Sequence, residues 1–240
     1  MIFENKYKVG IKHITLGNKV TNKALLSFME NLACLHSDKV GYGILDIPRT
    51  KLVWLLLDWR LKVIKRPDYG EELLVKTWSK GMEKCYAYRE FEVYNEKDEL
   101  VAIATSKWVL MNIEKGSIER ANNIIDSAYE KEEKEVISKE EIAKLKEPED
   151  CISKIDYMPR KTDMDINGHL NNLNYLDIAY EAIPLEIQDV QQLENVRITY
   201  KKETKPGEKV KALYTKKEDK YIVTIKSEDE KLLHSIIEIW

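Results

Sequence analysis

The sequence repeats one order of elements, a helix followed by several strands, and this repeat constrains the fold more than any other feature. In the first half, apolar residues recur at three- and four-residue steps after Thr21, which predicts a buried helix capped by Thr21 or Asn22. Strand patterns follow at residues 52–63, 73–79, 85–94 and 100–112. A long helix followed by antiparallel strands predicts a sheet that wraps around the helix.

The second half shows the same order. A strand pattern around residues 155–158 precedes a predicted helix from about Asn171 to Ala182. Further strand patterns follow at residues 196–202, 209–214, 221–225 and 232–240. In each half a Gly-Glu turn precedes an equivalent strand, at Gly70-Glu71 and at Gly207-Glu208. We therefore interpret the two halves as a divergent internal repeat.

A charged segment separates the halves. Residues 130–147 begin with mixed glutamate and lysine and contain few apolar side chains. Such a composition predicts a solvated helical connector. The expected organisation is an N-terminal domain at residues 1–126, a charged helical linker at residues 127–150 and a C-terminal domain at residues 151–240.

Charge and composition exclude several classes of protein. With 240 residues, of which 43% are apolar, the chain can bury a large core. Its 39 Lys and Arg nearly balance its 42 Asp and Glu, and a net charge of -3 argues against a nucleic-acid partner. The cysteines (Cys34, Cys85 and Cys151) show no CxxC spacing, and no apolar run is long enough to span a membrane. We expect a cytoplasmic protein without a membrane span.

Residues 162–175 hold the densest group of chemically capable side chains, with two carboxylates, four amides and an imidazole. Asp165, Asn167 and His169 alternate, so at the end of an extended strand they would project from one side. Several positions also match the calcium-binding loop of an EF-hand. That loop needs a bidentate carboxylate at its twelfth position, where this chain has Asn174, and a helix leading into it. A calcium-binding module is therefore the less favoured reading.

Residues 165–175 resemble the Asp-x-Asn-x-His-x-Asn-Asn-x-x-Tyr signature of the acyl-acyl carrier protein thioesterases. The segment Tyr200-Lys201-Lys202-Glu203-Thr204 is similar to the second catalytic segment of that family, and residues 59–78 and 104–112 resemble its N-terminal half. The resemblance implies an α+β fold of two tandem hotdog domains, each a long helix wrapped by an antiparallel sheet. It also implies hydrolysis of fatty acyl-acyl carrier protein to a free fatty acid, with neither a cofactor nor a metal.

The resemblance implies a catalytic set of Asp165, Asn167, His169 and Glu203. Either Glu203 or Asp165 would activate water or attack the carbonyl directly, and we favour Glu203 as the water activator. His169 would exchange protons, because histidine titrates near neutral pH. Asn167 would orient the water or the carbonyl, and Asp165 would hold the histidine or the amide in place. The N–H groups of the helix that starts near Asn171 would face the developing oxyanion.

One position departs from the family pattern. Plant members carry a cysteine where this chain has Thr204, so a cysteine nucleophile is not expected and Thr204 is at most an accessory residue. In the first half, the positions that align with the catalytic set hold Thr15, Gly17, Lys19 and Arg66. We therefore expect one catalytic centre per chain, in the second half, and an acyl pocket shaped by the first half.

Two basic pairs flank the motif segments. Arg160-Lys161 and Lys201-Lys202 lie where the phosphopantetheine arm of an acidic acyl carrier protein would enter, and we expect them to dock this partner. The enzymatic alternatives are a hotdog thioesterase acting on coenzyme A esters and a hydroxyacyl-thioester dehydratase. Glu203, placed after the central helix, favours hydrolysis. The oligomeric state stays open and includes a homodimer.

Overall fold

The computed structural model describes residues 1–120, 126–190 and 193–240, and it contains two compact units. Unit 1 comprises Met1–Glu141 and unit 2 comprises Ile142–Trp240. In each unit a helix contacts an antiparallel sheet. Among the described helices, none is long and apolar enough to cross a membrane.

Unit 1 is built around one long helix. Its helices are α1 (Asn22–Lys39), α2 (Ile47–Thr50) and α3 (Asp126–Tyr129), and its strands are β1 (Phe3–Lys8), β2 (Leu52–Val63), β3 (Glu72–Glu83), β4 (Tyr86–Tyr94), β5 (Leu100–Asn112) and β6 (Ser117–Glu119). The strands pair antiparallel in the order β1-β3-β4-β5-β2, and β6 pairs with β5. The predicted cap of α1 is confirmed, because the Thr21 hydroxyl accepts a hydrogen bond from the N–H of Ala24 at 3.1 Å.

Unit 2 repeats this topology. Its helices are α4 (Asn174–Ala182) and α5 (Leu185–Val190), and its strands are β7 (Ser153–Tyr157), β8 (Asn195–Tyr200), β9 (Val210–Lys217), β10 (Lys220–Ser227) and β11 (Leu233–Ile239). These strands also pair antiparallel, in the order β7-β9-β10-β11-β8. The order is the one found in unit 1, because each strand takes the place of its counterpart in the first half.

Backbone hydrogen bonds confirm the predicted repeat residue by residue. A β-bridge closes one loop in each unit, between Ile14 and Val20 and between Met164 and Leu170. Two backbone hydrogen bonds of unit 1 have counterparts in unit 2. The bond from Thr15 N–H to the Lys19 carbonyl (3.1 Å) corresponds to the bond from Asp165 N–H to the His169 carbonyl (2.7 Å). The bond from Thr21 N–H to the His13 carbonyl corresponds to the bond from Asn171 N–H to the Asp163 carbonyl (both 2.9 Å). One constant offset in residue number relates all these pairs, so the alignment of the two halves is correct at this loop.

The segment predicted as a solvated helical linker does not form a continuous helix. After α3 it runs irregularly as far as a short 3-10 turn at Lys139–Ile142. Residues 132–136, which we call the strap, lie instead along β3 and β4. Their backbone is held by three hydrogen bonds: Glu132 N–H to the Ser79 carbonyl (2.9 Å), Trp78 Nε1–H to the Lys134 carbonyl (2.9 Å), and Val136 N–H to the Glu90 carboxylate (3.1 Å). The prediction failed because these partners in unit 1 replace the bonds of an isolated helix.

Glu90 on β4 is the buried anchor of the strap. Its side chain is only 1% exposed, and its carboxylate accepts hydrogen bonds from the Thr105 hydroxyl (2.9 Å) and from the N–H of Val136 (3.1 Å). Burial outweighs these hydrogen bonds and raises the pKa of Glu90 to about 7. Glu90 therefore changes its charge near neutral pH while it holds the strap.

This shift predicts a pH-dependent stability. Between the ordinary pKa of 4.5 and about 7, the folded chain holds a proton on Glu90 that the unfolded chain has lost. The stabilisation that this proton gives to the folded chain is fully present below pH 4.5 and disappears as the pH rises through 7. We expect the free energy of unfolding of the wild type to fall relative to that of Glu90→Gln across this range, by on the order of 2 kcal/mol. Urea unfolding followed from pH 4.5 to 8 measures it.

Glu92→Gln is the matched control. Glu92 lies on the same strand, is also buried, and forms an ion pair with Lys134 of the strap. This variant should keep the pH dependence of the wild type. If the Glu90→Gln curve runs parallel to the wild-type curve at every pH, the protonation assigned to Glu90 is wrong.

Candidate active site

The polar motif of unit 2 folds as a tight loop and not as an extended strand. The bridge between Met164 and Leu170 closes it, and the N–H of Gly168 donates to the Asp165 carbonyl at 3.0 Å. Gly168 has φ +75°, a left-handed conformation that glycine adopts without strain. The prediction that Asp165, Asn167 and His169 project from one side of a strand is therefore wrong.

The Asp165 side chain causes this turn. Its Oδ1 accepts hydrogen bonds from the backbone N–H of Asn167 (2.8 Å) and of His169 (3.1 Å). Aspartate competes in this way with regular secondary structure, because its short side chain reaches the N–H groups that follow it. The Nδ2 of Asn167 also lies 3.5 Å from Oδ2 of Asp165. Asp165 thus fixes the backbone that carries Asn167 and His169.

Asp163 secures the start of the loop. Its side chain is 5% exposed, and its carboxylate accepts from the backbone N–H of Arg160 (2.8 Å) and pairs with the Arg160 guanidinium at 2.8 Å. Asp163 stands at the first position of the calcium-like pattern, and its carboxylate is already bound by Arg160. Among the described residues, no group of His, Cys, Asp or Glu side chains is placed to hold a metal ion.

One backbone hydrogen bond brings the second segment to the loop. The N–H of Leu170 donates to the carbonyl of Thr204 at 2.9 Å. Because His169 precedes Leu170 and Glu203 precedes Thr204, this bond places His169 and Glu203 in the same neighbourhood. The pKa of Glu203 is lowered mainly by hydrogen bonding from its own backbone N–H, and His169 adds a smaller electrostatic contribution, which is consistent with this proximity.

Glu203 is an ionised, solvent-accessible carboxylate. Its side chain is 40% exposed. Hydrogen bonding from its own backbone N–H lowers the pKa of Glu203, and Lys202, whose Nζ lies 3.3 Å from Oε1, lowers it further. Asp165 and Glu203 therefore differ in their surroundings, since Asp165 is engaged by the loop backbone and Glu203 faces solvent beside His169.

Two tyrosines hold the Glu203 segment against α4. The hydroxyl of Tyr175 donates to Oγ1 of Thr204 (2.9 Å) and accepts from the N–H of Thr204 (3.0 Å), and both residues are buried. The hydroxyl of Tyr200 donates to the Asn172 carbonyl at 2.9 Å. The rings of Tyr200 and Tyr175 pack edge-on, with their centroids 5.7 Å apart. Tyr175 lies in the motif at residues 165–175, and Tyr200 begins the segment at residues 200–204. Their place in these motifs marks them as candidate site residues, but the sequence does not show that they hydrogen-bond Thr204 and Asn172.

Thr204 is thus a buried structural residue. Its hydroxyl accepts from Tyr175 and has no exposed surface from which to attack a substrate.

The start of α4 differs from the prediction. The helix begins at Asn174, because Asn171 forms a turn in which its Oδ1 accepts from the N–H of Leu173 and its carbonyl accepts from the N–H of Asn174, both at 2.9 Å. The N–H of Asn171 itself donates to the Asp163 carbonyl. The backbone donors expected to face an oxyanion are therefore occupied at residues 171, 173 and 174.

The basic pairs separate into engaged and available side chains. Arg160 binds Asp163, and Lys202 pairs with Glu203. Lys161 and Lys201 are exposed and form no ion pair with any described residue. Of the two basic pairs, these two lysines remain available to a partner.

The equivalent positions of unit 1 have structural roles. Lys19, opposite His169, pairs with Asp68 at 2.8 Å. Arg66, opposite Glu203, donates from Nη1 to the Val20 carbonyl (2.8 Å) and to Oδ1 of Asn22 (3.0 Å) at the start of α1. The loop scaffold is therefore present in both units, but the imidazole and the carboxylates occur in unit 2 alone among these aligned positions.

Two family profiles match the chain. The family described as "Acyl-ACP thioesterase N-terminal domain" matches residues 1–130, and the one described as "Acyl-ACP thioesterase C-terminal domain" matches residues 145–238. Among curated proteins, the chain is 23% identical over 239 residues to oleoyl-acyl carrier protein thioesterase 2, chloroplastic, of Arabidopsis thaliana. This similarity covers 92% of the chain but only 65% of the length of that relative.

Solved structures show the same fold. The acyl-ACP thioesterase from Bacteroides thetaiotaomicron has a TM-score of 0.87 at 20% identity, and the 12:0-ACP thioesterase from Umbellularia californica has a TM-score of 0.87 at 19% identity. Each comparison covers 99% of this chain and 96% of the other. The expected α+β architecture of tandem hotdog domains is thereby confirmed.

The tyrosine network predicts coupled stabilities. Thr204→Val keeps the shape of the side chain but leaves the buried Tyr175 hydroxyl without its acceptor, which should cost about 1 to 2 kcal/mol of unfolding free energy. The same change in a Tyr175→Phe background should cost less, because no hydroxyl is left unpaired there. Urea unfolding of the two single variants and the double variant measures this coupling. Strictly additive effects would show that the two side chains do not act together.

Proposed function

The chain belongs to the acyl-ACP thioesterase family, and from that premise we propose that it hydrolyses fatty acyl-acyl carrier protein to a free fatty acid and the holo carrier protein. The observation that supports this most directly is the hydrogen bond from the N–H of Leu170 to the Thr204 carbonyl. It joins the loop that carries His169 to the segment that carries Glu203, so one site holds a carboxylate, an imidazole and an amide.

Glu203 is the base in this proposal. It takes a proton from water, and the resulting hydroxide attacks the thioester carbonyl carbon while His169 supplies a proton to the departing thiolate. The products are a carboxylic acid and a thiol. Two observations favour Glu203 over Asp165: its carboxylate is accessible to water, and Oδ1 of Asp165 already accepts two backbone hydrogen bonds.

Asn167 and Asp165 complete the site. The exposed side-chain amide of Asn167 orients the water or donates to the carbonyl oxygen as negative charge develops there. Asp165 acts through the backbone, because it holds the N–H groups of Asn167 and His169. Thr204 and Asn171 are accessory residues that position the second segment and the start of α4.

The division of labour between the domains is part of the proposal. The C-terminal domain, residues 151–240, carries the reaction, and the N-terminal domain, residues 1–126, shapes the acyl pocket. Support comes from Lys19 and Arg66, which replace the imidazole and the carboxylate in the first half and bind other groups of unit 1. The cytoplasmic location, the lack of a cofactor and the homodimer stay predictions.

Acyl carrier protein is the proposed partner, and the exposed lysines beside the loop are its docking groups. Because this partner is acidic, basic side chains near the site would orient the phosphopantetheine arm. Lys161 and Lys201 are available for this contact, while Arg160 and Lys202 reach it only in competition with Asp163 and Glu203.

Removal of either proton-transfer group tests the reaction. Glu203→Gln and His169→Ala should each lower kcat for a fatty acyl-carrier protein by about a hundredfold or more, because general acid–base catalysis contributes that much. Release of the free thiol is the measurement. Glu208→Gln, which removes another exposed carboxylate from the adjacent turn, is the control and should stay near wild-type activity. Full activity in both catalytic variants would disprove the assignment.

Docking is tested by removal of the free lysines. Lys161→Ala combined with Lys201→Ala should raise KM for acyl-carrier protein severalfold and weaken its salt dependence, with little effect on the same acyl group carried by pantetheine alone. The control is Lys216→Ala combined with Lys217→Ala, which removes equal charge at the far end of β9. An equal rise of KM in both double variants would show that only net charge matters.

A further inference from the structure

A buried histidine outside the motif holds the Glu203 segment. His234 lies on β11 and is 2% exposed. Its Nδ1 lies 3.0 Å from the Lys202 carbonyl. A carbonyl oxygen only accepts, so Nδ1 carries the hydrogen and donates it.

The backbone of His234 holds the same segment. Its carbonyl accepts from the N–H of Lys201 (2.8 Å) and from that of Lys202 (3.3 Å). The imidazole and the carbonyl of His234 therefore bind the two residues that immediately precede Glu203.

The bond from the imidazole continues to the carboxylate through one peptide group. The Lys202 carbonyl, which accepts from His234, and the N–H of Glu203 belong to the same peptide. That N–H in turn hydrogen-bonds the Glu203 carboxylate, which is the largest cause of the lowered pKa of Glu203. Hydrogen bonds in such a chain polarise one another, so a donor at the carbonyl strengthens the N–H as a donor.

We propose that His234 is a positioning residue for Glu203, acting through the Lys202–Glu203 peptide to orient the carboxylate. The consequence of this role for catalysis rests on the proposed thioesterase function, whereas the effect of His234 on the Glu203 carboxylate does not depend on that function. The charged or titratable side chains of Lys202, His169 and Tyr175 also act on Glu203.

Ser235 offers an internal comparison. It is buried next to His234 on β11, and its hydroxyl donates to the Thr199 carbonyl at 3.0 Å. Both side chains thus bond a backbone carbonyl of the same neighbouring segment. The Thr199 carbonyl, however, does not belong to the peptide that carries the Glu203 N–H. A purely structural role would make the two residues equivalent, whereas the proposed role separates them.

The first test measures the titration of Glu203 directly. Carbon-13 NMR of the glutamate carboxyls gives its midpoint, with Glu203→Gln identifying the signal. His234→Leu should move the midpoint upward, towards the ordinary value for glutamate. His234→Asn, whose amide N–H takes the place of Nδ1–H, should restore the wild-type midpoint, and Ser235→Ala should not change it.

A second loss variant covers the case in which His234→Leu does not fold. His234→Gln fills the space but places its donor at the position of Nε2, beyond the Lys202 carbonyl. An unchanged midpoint in a folded loss variant would overturn the proposal, and so would an equal shift in Ser235→Ala.

The second test uses turnover. His234→Leu or His234→Gln should lower kcat on the order of tenfold, because the hydrogen bond that orients the Glu203 segment is lost. KM for acyl-carrier protein should stay within about twofold of the wild-type value. His234→Asn should recover most of kcat. A change in KM alone would overturn the proposal. If the wild type hydrolyses no acyl-carrier protein, the proposed function fails, while the NMR midpoints still decide the role of His234.

Discussion

The site depends on one backbone hydrogen bond, from the N–H of Leu170 to the Thr204 carbonyl. It connects two segments that lie far apart in the sequence and uses no side chain of either. Its counterpart in unit 1 runs from the N–H of Val20 to the Pro67 carbonyl. Because the bond needs only main-chain groups, each half keeps it whatever residues flank it. The side chains beside it were therefore free to diverge, to His169 and Glu203 in one unit and to Lys19 and Arg66 in the other.

Hydrogen bonding divides the work between the two carboxylates of the site. Oδ1 of Asp165 accepts hydrogen bonds from the N–H groups of Asn167 and His169. These bonds fix the loop backbone but leave that oxygen less able to bind water. Glu203 is exposed and is kept ionised by its own N–H and by Lys202. A group that builds the loop is poorly placed to bind water, and a group that must bind water cannot be buried in the loop. The same chemical group thus serves as a scaffold at Asp165 and stays accessible to water at Glu203.

Around this pair, buried side chains outside the proposed catalytic set fix the geometry. Tyr175 binds Thr204 at two atoms, and His234 binds the segment from the opposite strand. Glu203 is thereby held on its N-terminal side by β11 and on its C-terminal side by α4. A carboxylate on a short segment after β8 would otherwise sample many orientations, at a cost in positioning that catalysis does not tolerate.

Local pattern determined much of this protein from the sequence alone. The Thr21 cap, strands β2 and β5 with the bounds expected, and the repeat were all predictable, because periodicity and residue type record them. The catalytic set stays a prediction. Tertiary structure decided the rest. The strap is not a helix because β3 and β4 supply its hydrogen bonds; the motif is not extended because Asp165 captures its backbone; and His234 matters because β11 passes behind Glu203. Each of these depends on contacts between groups distant in sequence or on a side chain that competes for backbone donors, and neither leaves a periodic pattern to read.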